Sequence, residues 1–527
     1  MLNRKAGNTV RVHAVRHGMR RVLSAAVLVS LVALSAASVG TAAGAASGPK
    51  KGGILTVGGL AQWTSLDPDS TMAGLTAQPY MTAIYDGLLR QSGTQILPDL
   101  IKSWSFGAKD LTLTLHVRPG VKFTDGTPFN AAAVKTNLVR DAVPGTCNCS
   151  GFLKSISSIS VTGTDTLVLY FSQKDGSILE TLAGSTATYV VSPTQIASDP
   201  SAIGTTPIGA GPFMVQSNVP NATLVLVRNP HYWNAPLPYL SGITFTYLAN
   251  DSAGLSDVES GAIDVEQGNI SAPVVAQARQ AGSLRVVTMP GSQWYYLWFN
   301  TKIAPFNNPI AREAIFYATD GAALAKAVSG GIYVPTQFLD ASGMVPFLGT
   351  KLKGELSYDP SKAQALVQQL GGLTFSGVTI GTSTLQSQWF SDLDSEWSAV
   401  GIHFNASGAT TPSAAVGTLI SGTFQLFYSP YGSYTSLGED LEQVIGCGTA
   451  FNTVFCDPTF QNLLTQAENA VSPAKQIALY TAAEKQLIVT DTDVVPLWYA
   501  PLFRIQQPDV DGIPVNDYVY YDAAYLK

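Results

Sequence analysis

Residues 113–128 read Leu-Thr-Leu-His-Val-Arg-Pro-Gly-Val-Lys-Phe-Thr-Asp-Gly-Thr-Pro. Leu111, Leu113, Leu115 and Val117 alternate with Thr112, Thr114, His116 and Arg118, which is the two-residue period of a strand buried on one face. Asp125-Gly126 is a hairpin-turn signal. Asn130 is an N-cap for a helix over Ala131–Val139. Upstream, Ile54 to Val57 is expected to form a short strand broken by Gly58-Gly59. Downstream, Leu167–Phe171 and Thr223–Val227 read as further strands. The second half is more helical. Asn308 caps and Pro309 opens a helix with Ala311, Ala314, Ile315 and Ala318 on one face. Asp320 caps the next. Asp359-Pro360 opens another, with Ala363, Leu366, Val367 and Leu370 inward, stopped by Gly371-Gly372. Strands alternating with helices predict an α/β protein.

A chain of 527 residues exceeds what one core holds, since single cores stop growing near roughly 250–300 residues; two or three domains are expected. Residues 1–45 read as a signal peptide. They hold Arg4, Lys5, Arg11, Arg16, Arg20 and Arg21 and no acid, then an apolar run from Val22 to about Leu34, then small residues with Ala43-Gly44-Ala45 as a cleavage site. The apolar run is shorter than a spanning helix and is diluted by Ser24 and Ser30. No Cys lies near it to accept a lipid. The whole chain carries 30 basic and 36 acidic residues; without the six leader bases it is distinctly acidic. With no basic run after residue 51, it is a poor candidate for nucleic acid, whose phosphates need clustered Lys and Arg. Export permits disulfides. Cys447 and Cys456 flank a short loop and are expected to bridge. Cys147 and Cys149 are harder to join to each other. No His accompanies either pair, which disfavours zinc.

Several segments resemble the family 5 extracellular solute-binding proteins, the dipeptide, oligopeptide and nickel receptors of ABC importers. They are Gly52-Gly53-Ile54-Leu55-Thr56-Val57; Ser65-Leu66-Asp67-Pro68; Ile84-Tyr85-Asp86-Gly87-Leu88-Leu89; Leu97-Pro98-Asp99-Leu100 with Ser103-Trp104; residues 113–128; Pro207-Ile208-Gly209-Ala210-Gly211-Pro212-Phe213; Arg228-Asn229-Pro230-His231-Tyr232-Trp233; and Phe299-Asn300-Thr301. Each motif alone is weak, but they stand in family order across almost the whole chain after the leader. The resemblance implies a two-lobed periplasmic-binding-protein-like (type II) α/β clamp. A discontinuous domain I would span 50–80, 207–290 and 496–527. Domain II, an extra domain, would span 81–206. Domain III, the opposing lobe, would span 293–494. Crossings near Met289–Gln293 and Asp493–Pro496 would make a two-segment hinge that closes over a ligand. The implied protein is an exported, monomeric, periplasmic or extracellular receptor. It would need no cofactor and would deliver a peptide or small solute to an ABC permease and ATPase complex.

In such a clamp the ligand lies between lobes. The candidate ligand-binding residues are Gln62, Trp63 and Thr64 after the first strand; Trp294 and Tyr295 beside the hinge; Trp389, next to Gln388, in a loop; and Tyr428, Tyr431 and Tyr434 in a Gly/Ser/Pro-rich loop. Aromatic rings with polar tips suit a tolerant pocket, although each is equally at home in a core. Peptide receptors of the family carry an Asp in this last stretch that pairs with the ligand's amino group, and a buried ammonium needs such a partner. Here the stretch is Tyr428-Ser429-Pro430-Tyr431-Gly432-Ser433-Tyr434. The nearest acids, Glu439 and Asp440, are expected on the following helix. A blocked peptide, a neutral glycoside or a metal chelate is therefore the alternative ligand. An enzyme is disfavoured, because no nucleophile elbow, His-Glu-x-x-His helix or phosphate-binding loop is present. Only His116, His231 and His403 follow the leader. A pair of acids for glycoside hydrolysis remains the open hydrolase reading.

Overall fold

The computed structural model describes residues 49–527 apart from 61, 70–73, 146, 148, 353–356, 380–383, 409–411, 432–435, 450 and 517. An eleven-stranded sheet runs through the molecule. Its strands, in chain order, are β1 (Ile54–Gly59), β2 (Phe213–Val219), β3 (Thr223–Arg228), β4 (Gly242–Tyr247), β5 (Val265–Gly268), β6 (Arg285–Phe299), β7 (Val334–Pro335), β8 (Leu373–Thr379), β9 (Ile402–Gly408), β10 (Leu426–Tyr431) and β11 (Val494–Gln506). The spatial order is β9-β8-β10-β6-β11-β5-β1-β4-β3-β2, with β7 paired to β11. β1 runs parallel to β4 and β5, and β8 parallel to β9 and β10. The long antiparallel pair β6 and β11 joins the two halves. A separate four-stranded sheet contains Thr112–Val117 between Ile101–Phe106 and Thr166–Phe171, edged by Ile156–Val161.

Four apolar cores serve this framework. One lies within residues 294–499 and one within 88–210. A third gathers residues from 55–85, 189–265 and 510–524, and a fourth lies around 248–278 with Phe503 and Ile505. The register of the smaller sheet follows the sequence period, since Leu113, Leu115 and Val117 are fully buried and the residues between them are not. The caps also act as their side chains require. Asn130 accepts from the Ala133 amide, Asn308 from Ile310, Asp320 from Ala322 and Ala323, and Asp359 from Lys362.

Three local expectations are corrected. Gly58 and Gly59 do not break the first strand; they extend it between β4 and β5. A Cβ on Gly58 would lie 2.6 Å from Ile263 Cδ1 and 2.7 Å from Leu248 Cδ1, so glycine here answers close packing. Trp389 sits on a helix, Thr384–Ser398, and Tyr428 and Tyr431 on β10. Their Gly, Ser and Pro neighbours reflect an interior strand flanked by residues beyond the described ones. Cys147 and Cys149 are bonded to each other, as are Cys447 and Cys456. A hydrogen bond from the Ser150 amide to the Cys147 carbonyl marks a tight reversal. It brings the two Cα atoms to 5.1 Å, where an extended chain would hold them about 7 Å apart.

The short motifs of the sequence meet at one junction. Asp86 is buried and takes the Tyr232 hydroxyl at 2.8 Å and the Trp233 indole N–H at 3.0 Å on Oδ2. Arg90 bonds Asp86, Asp99 and Asp522 at 3.2–3.3 Å. Its guanidinium also covers the Tyr520 ring, and Arg118 covers Trp233. Asn229 donates to the Gly211 carbonyl, and the Thr124 amide donates to the Gly209 carbonyl. A Cβ on Gly211 would fall 2.6 Å from the Ile84 carbonyl carbon and oxygen, so this turn admits no side chain. Arg140 holds Asp67 and Asp69 at 2.6 and 2.8 Å. Asp86→Ala strips the acceptor from two ring donors and one carboxylate from Arg90. The expected loss is about 3 kcal/mol of unfolding free energy in urea titration, and a loss below about 1 kcal/mol would contradict this reading.

Candidate functional site

β6 and β11 build the candidate site. Both strands alternate faces, so Tyr295 and Trp498, which stand opposite each other in register, project together. Tyr428, opposite Leu297 on β10, shares that face. The Tyr295 ring stacks on Trp498 at 5.6 Å, Tyr333 at 5.8 Å and Tyr428 at 6.1 Å. Trp389 reaches in from its helix and stacks on Tyr428 with centroids 3.7 Å apart. It meets Trp498 edge-on at 5.9 Å. Five large rings from four elements and one connecting segment thus form a single aromatic wall. Tyr295 and Tyr333 are its partly exposed members, while Trp389, Tyr428 and Trp498 are buried.

The wall has polar tips. The Tyr295 hydroxyl donates to Gln293 Oε1 at 3.0 Å. Burial pushes the Tyr295, Tyr333 and Tyr428 hydroxyls above the usual phenol range, so all three stay protonated and can donate. The backbone bends beside the wall. The register of β6 against β11 shifts between Met289 and Gln293, and again between Tyr295 and Tyr296. At the first shift Gly291 approaches so closely that a Cβ would sit 2.0 Å from the Ala500 carbonyl oxygen. Its own carbonyl receives the Gly343 amide at 2.8 Å.

The expected ligand residues separate into distinct places. Trp389, Tyr295 and Tyr428 converge in the wall. Trp294 lies on the opposite face of β6, fully buried, with its ring 4.7 Å from Tyr296. Trp63 is buried against Tyr80 and donates its indole N–H to Asn218 Oδ1 at 2.9 Å. Gln62 and Thr64 are exposed just beyond the carboxyl end of β1. Gln62 donates to the Tyr247 hydroxyl at 3.2 Å, at the corresponding end of β4. Tyr431 pairs with Trp294 through its backbone as the last residue of β10, but its side chain lies outside the described residues, as do Tyr434 and the Gln388 side chain.

Sequence reading missed Tyr333 and Trp498. The signal for Trp498 was present in Val494-Val495-Pro496-Leu497-Trp498-Tyr499, but only its pairing with Tyr295 gives it a site. Glu439 and Asp440 do open a helix, Leu437–Val444. The three later histidines lie apart: His116 bonded to Thr166, and His231 and His403 exposed. Among the described residues no group of three His, Cys, Asp or Glu is placed to hold a metal ion. None of their helices is long and apolar enough to cross a membrane.

Comparison with known proteins places this geometry in context. The family model described as "Bacterial extracellular solute-binding proteins, family 5 Middle" matches residues 95–442. The glutathione-binding protein GsiB of Escherichia coli O1:K1 / APEC is 26% identical over 495 residues, covering 89% of this chain and 94% of the relative. The periplasmic binding protein DppA of Helicobacter pylori, solved with the peptide STSA, superposes with a TM-score of 0.73 at 21% identity, covering 90% of this chain and 98% of that one. The substrate-binding protein CtaP of Listeria monocytogenes gives 0.80 at 17% identity, covering 90% and 100%.

Trp389→Ala opens a void against Tyr428 and Trp498. The expected cost is about 3–5 kcal/mol in denaturant unfolding, with loss of near-ultraviolet circular dichroism from the stacked rings. Unchanged stability would mean that the ring is not packed there.

Proposed function

This chain belongs to the bacterial extracellular solute-binding proteins, family 5, and from that premise we propose that it captures a peptide-like solute outside the cytoplasm and hands it to an ABC permease and ATPase complex. The observation that carries this is the aromatic wall on the paired strands β6 and β11. Those strands belong to both halves of the large sheet. A bend at their register shifts moves Tyr295, Tyr428 and Trp389 toward or away from Gln62 and Thr64, which is how a clamp gains and loses a ligand. With this reading we propose the domain division 50–80 with 207–290 and 496–527, then 81–206, then 293–494 as the moving lobe. Ligand binding favours closure only through contacts made in the closed form.

A peptide is supported by two likenesses, the glutathione-binding relative and the peptide-bound DppA structure. A second reading, a blocked peptide or an uncharged polar solute, is favoured by one departure. Tyr428–Tyr434 carries no acid to hold a free amino group, and the nearby Glu439 and Asp440 are buried on the next helix. The described part of the wall offers rings and hydroxyl donors, which recognise planar and carbonyl groups without charge.

Native mass spectrometry of freshly purified protein is the first test, and a co-purified small molecule is the expected result. A thermal-shift screen over free peptides, N-blocked peptides and glycosides then ranks the classes. A true ligand at a hundredfold excess over Kd adds about 2.7 kcal/mol of stability. Absence of binding across all classes, or turnover of any of them, overturns the reading. Gln62→Ala, an exposed change, is expected to weaken the ligand about tenfold in titration calorimetry while leaving the unfolding midpoint in place; unaltered affinity removes Gln62 from the site.

A further inference from the structure

A cavity lies away from the aromatic wall, and none of the nine expected ligand residues lines it. It has a volume of about 370 Å³ and sits between two stretches of chain, residues 151–181 and 439–469. The first stretch lies in the core of residues 88–210 and the second in the core of residues 294–499. The seam beside it is bonded. The Thr181 hydroxyl donates to Glu439 Oε1 at 2.6 Å, the Ser436 hydroxyl to Glu180 Oε2 at 3.0 Å, and the Gly176 amide to the Glu468 carbonyl at 2.6 Å. Gly176 is forced, because a Cβ there would lie 2.1 Å from the Ala470 carbonyl oxygen.

The lining joins aromatic rings to an excess of acids. Phe152 and Phe451 supply rings, while Asp175, Glu439, Glu442 and Glu468 supply carboxyl groups. Of the two lysines on the rim, Lys174 is bonded to Asp110 at 2.7 Å, which leaves Lys154 as the nearby counter-charge. Glu439 is only 5% exposed and Oε1 is taken by Thr181; no hydrogen bond from a described residue reaches Oε2. The Glu468 carboxyl receives none either, and the Tyr480 hydroxyl behind it is buried without a hydrogen-bond partner. An unsatisfied buried polar atom is costly, so a donor of positive charge fits beside the buried Glu439 Oε2 and the half-buried Glu468 carboxyl.

We infer that this cavity is a binding site for a small organic cation, of the class of primary amines and diamines, held between the 151–181 and 439–469 segments. A bare metal ion fits poorly, since the described carboxyl groups do not converge on one point and the aromatic walls leave room for carbon. Ammonium groups satisfy carboxyl oxygens, and a short alkyl chain covers the rings. Because the occupant touches both segments, it tightens the seam that joins the two cores. The inference stands apart from the identity of the solute proposed for the aromatic wall.

Protonation gives the site a signature. Burial pushes Glu439 and Glu468 up to about 8; at Glu468 the neighbouring Glu442 adds to the rise and Lys154 opposes it. Asp175 and Glu180 are raised as well, chiefly by burial. Without a bound cation these carboxyl groups therefore hold protons at pH 7, and a cation must expel them. An alkylamine keeps its charge throughout this range. Affinity should rise with pH between about 6 and 8, up to about tenfold per pH unit for one coupled proton.

The test is calorimetric titration of the full protein with 1,4-diaminobutane and with 1,4-butanediol as its uncharged match, in buffers of different ionisation enthalpy. Saturable diamine binding with proton release, tighter at pH 8 than at pH 6, and no diol binding is expected. Glu468→Gln and Glu442→Gln, checked for native circular dichroism, should each weaken the diamine at least tenfold, whereas Gln62→Ala should not change it. No diamine binding, binding without proton release, or affinity indifferent to both Glu substitutions in folded protein overturns the inference.

Discussion

The Asp86 carboxylate is the constraint from which the arrangement of this molecule follows. It lies at the end of the Gly74–Tyr85 helix with a positive φ of 60°, a backbone state that Asp tolerates better than most residues. From there it accepts two ring donors and one guanidinium. Those donors come from residues far apart in sequence: Tyr232 and Trp233 after β3, and Arg90, which carries on to Asp99 and to Asp522 near the C-terminus. Three carboxylates around one arginine cannot all be comfortable anions. Burial and the neighbouring Asp86 charge push the Asp99 carboxyl well above its ordinary range, which relieves the excess. Moving any one member takes a hydrogen bond or ion pair from a buried neighbour, which favours a single geometry at the junction.

Glycine makes that junction close. Gly209 and Gly211 press against the Ile84–Tyr85 backbone, where a Cβ on Gly209 would meet the Ile84 carbonyl oxygen at 2.3 Å. Asn229 and Thr124 then tie the same turn to two other motifs. The long strands β6 and β11 are paired less regularly. Their register shifts at Met289–Gln293 and Tyr295–Tyr296 interrupt the ladder at the point where the aromatic wall begins. A closely packed base, a locally weakened strand pair and a wall of rings beside the weak point are what a closing receptor needs physically.

The acid-lined cavity contrasts with this junction. There charged groups are satisfied by one another at short range; at Glu439 and Glu468 carboxyl groups face a space instead. The first arrangement stabilises a scaffold, and the second leaves carboxyl groups open to a partner. The same chemistry, carboxyl groups withdrawn from water, serves both: in one the partner is part of the chain, and in the other the inferred partner comes from outside.

Much of the scaffold was legible in the sequence. The strand over Thr112–Val117, the capped helices after Asn130, Asn308, Asp320 and Asp359, and the motif order that identifies the clamp all rest on local rules of period, capping and turn chemistry. Gly58 was misread because a strand glycine looks the same whether it breaks the strand or admits a neighbour's side chain. The candidate rings were legible as residue types, but not their grouping. Trp294 and Tyr295 are adjacent in sequence and lie on opposite faces of β6, and Trp498 stands 203 positions from the Tyr295 that it stacks on. Strand register across β6, β10 and β11 decides which rings meet, as packing decides which carboxyl groups enclose a cavity. The chain alone determined the elements and the family; only the tertiary structure assigned partners, because contact between distant residues depends on how the strands pair and carries no local signature.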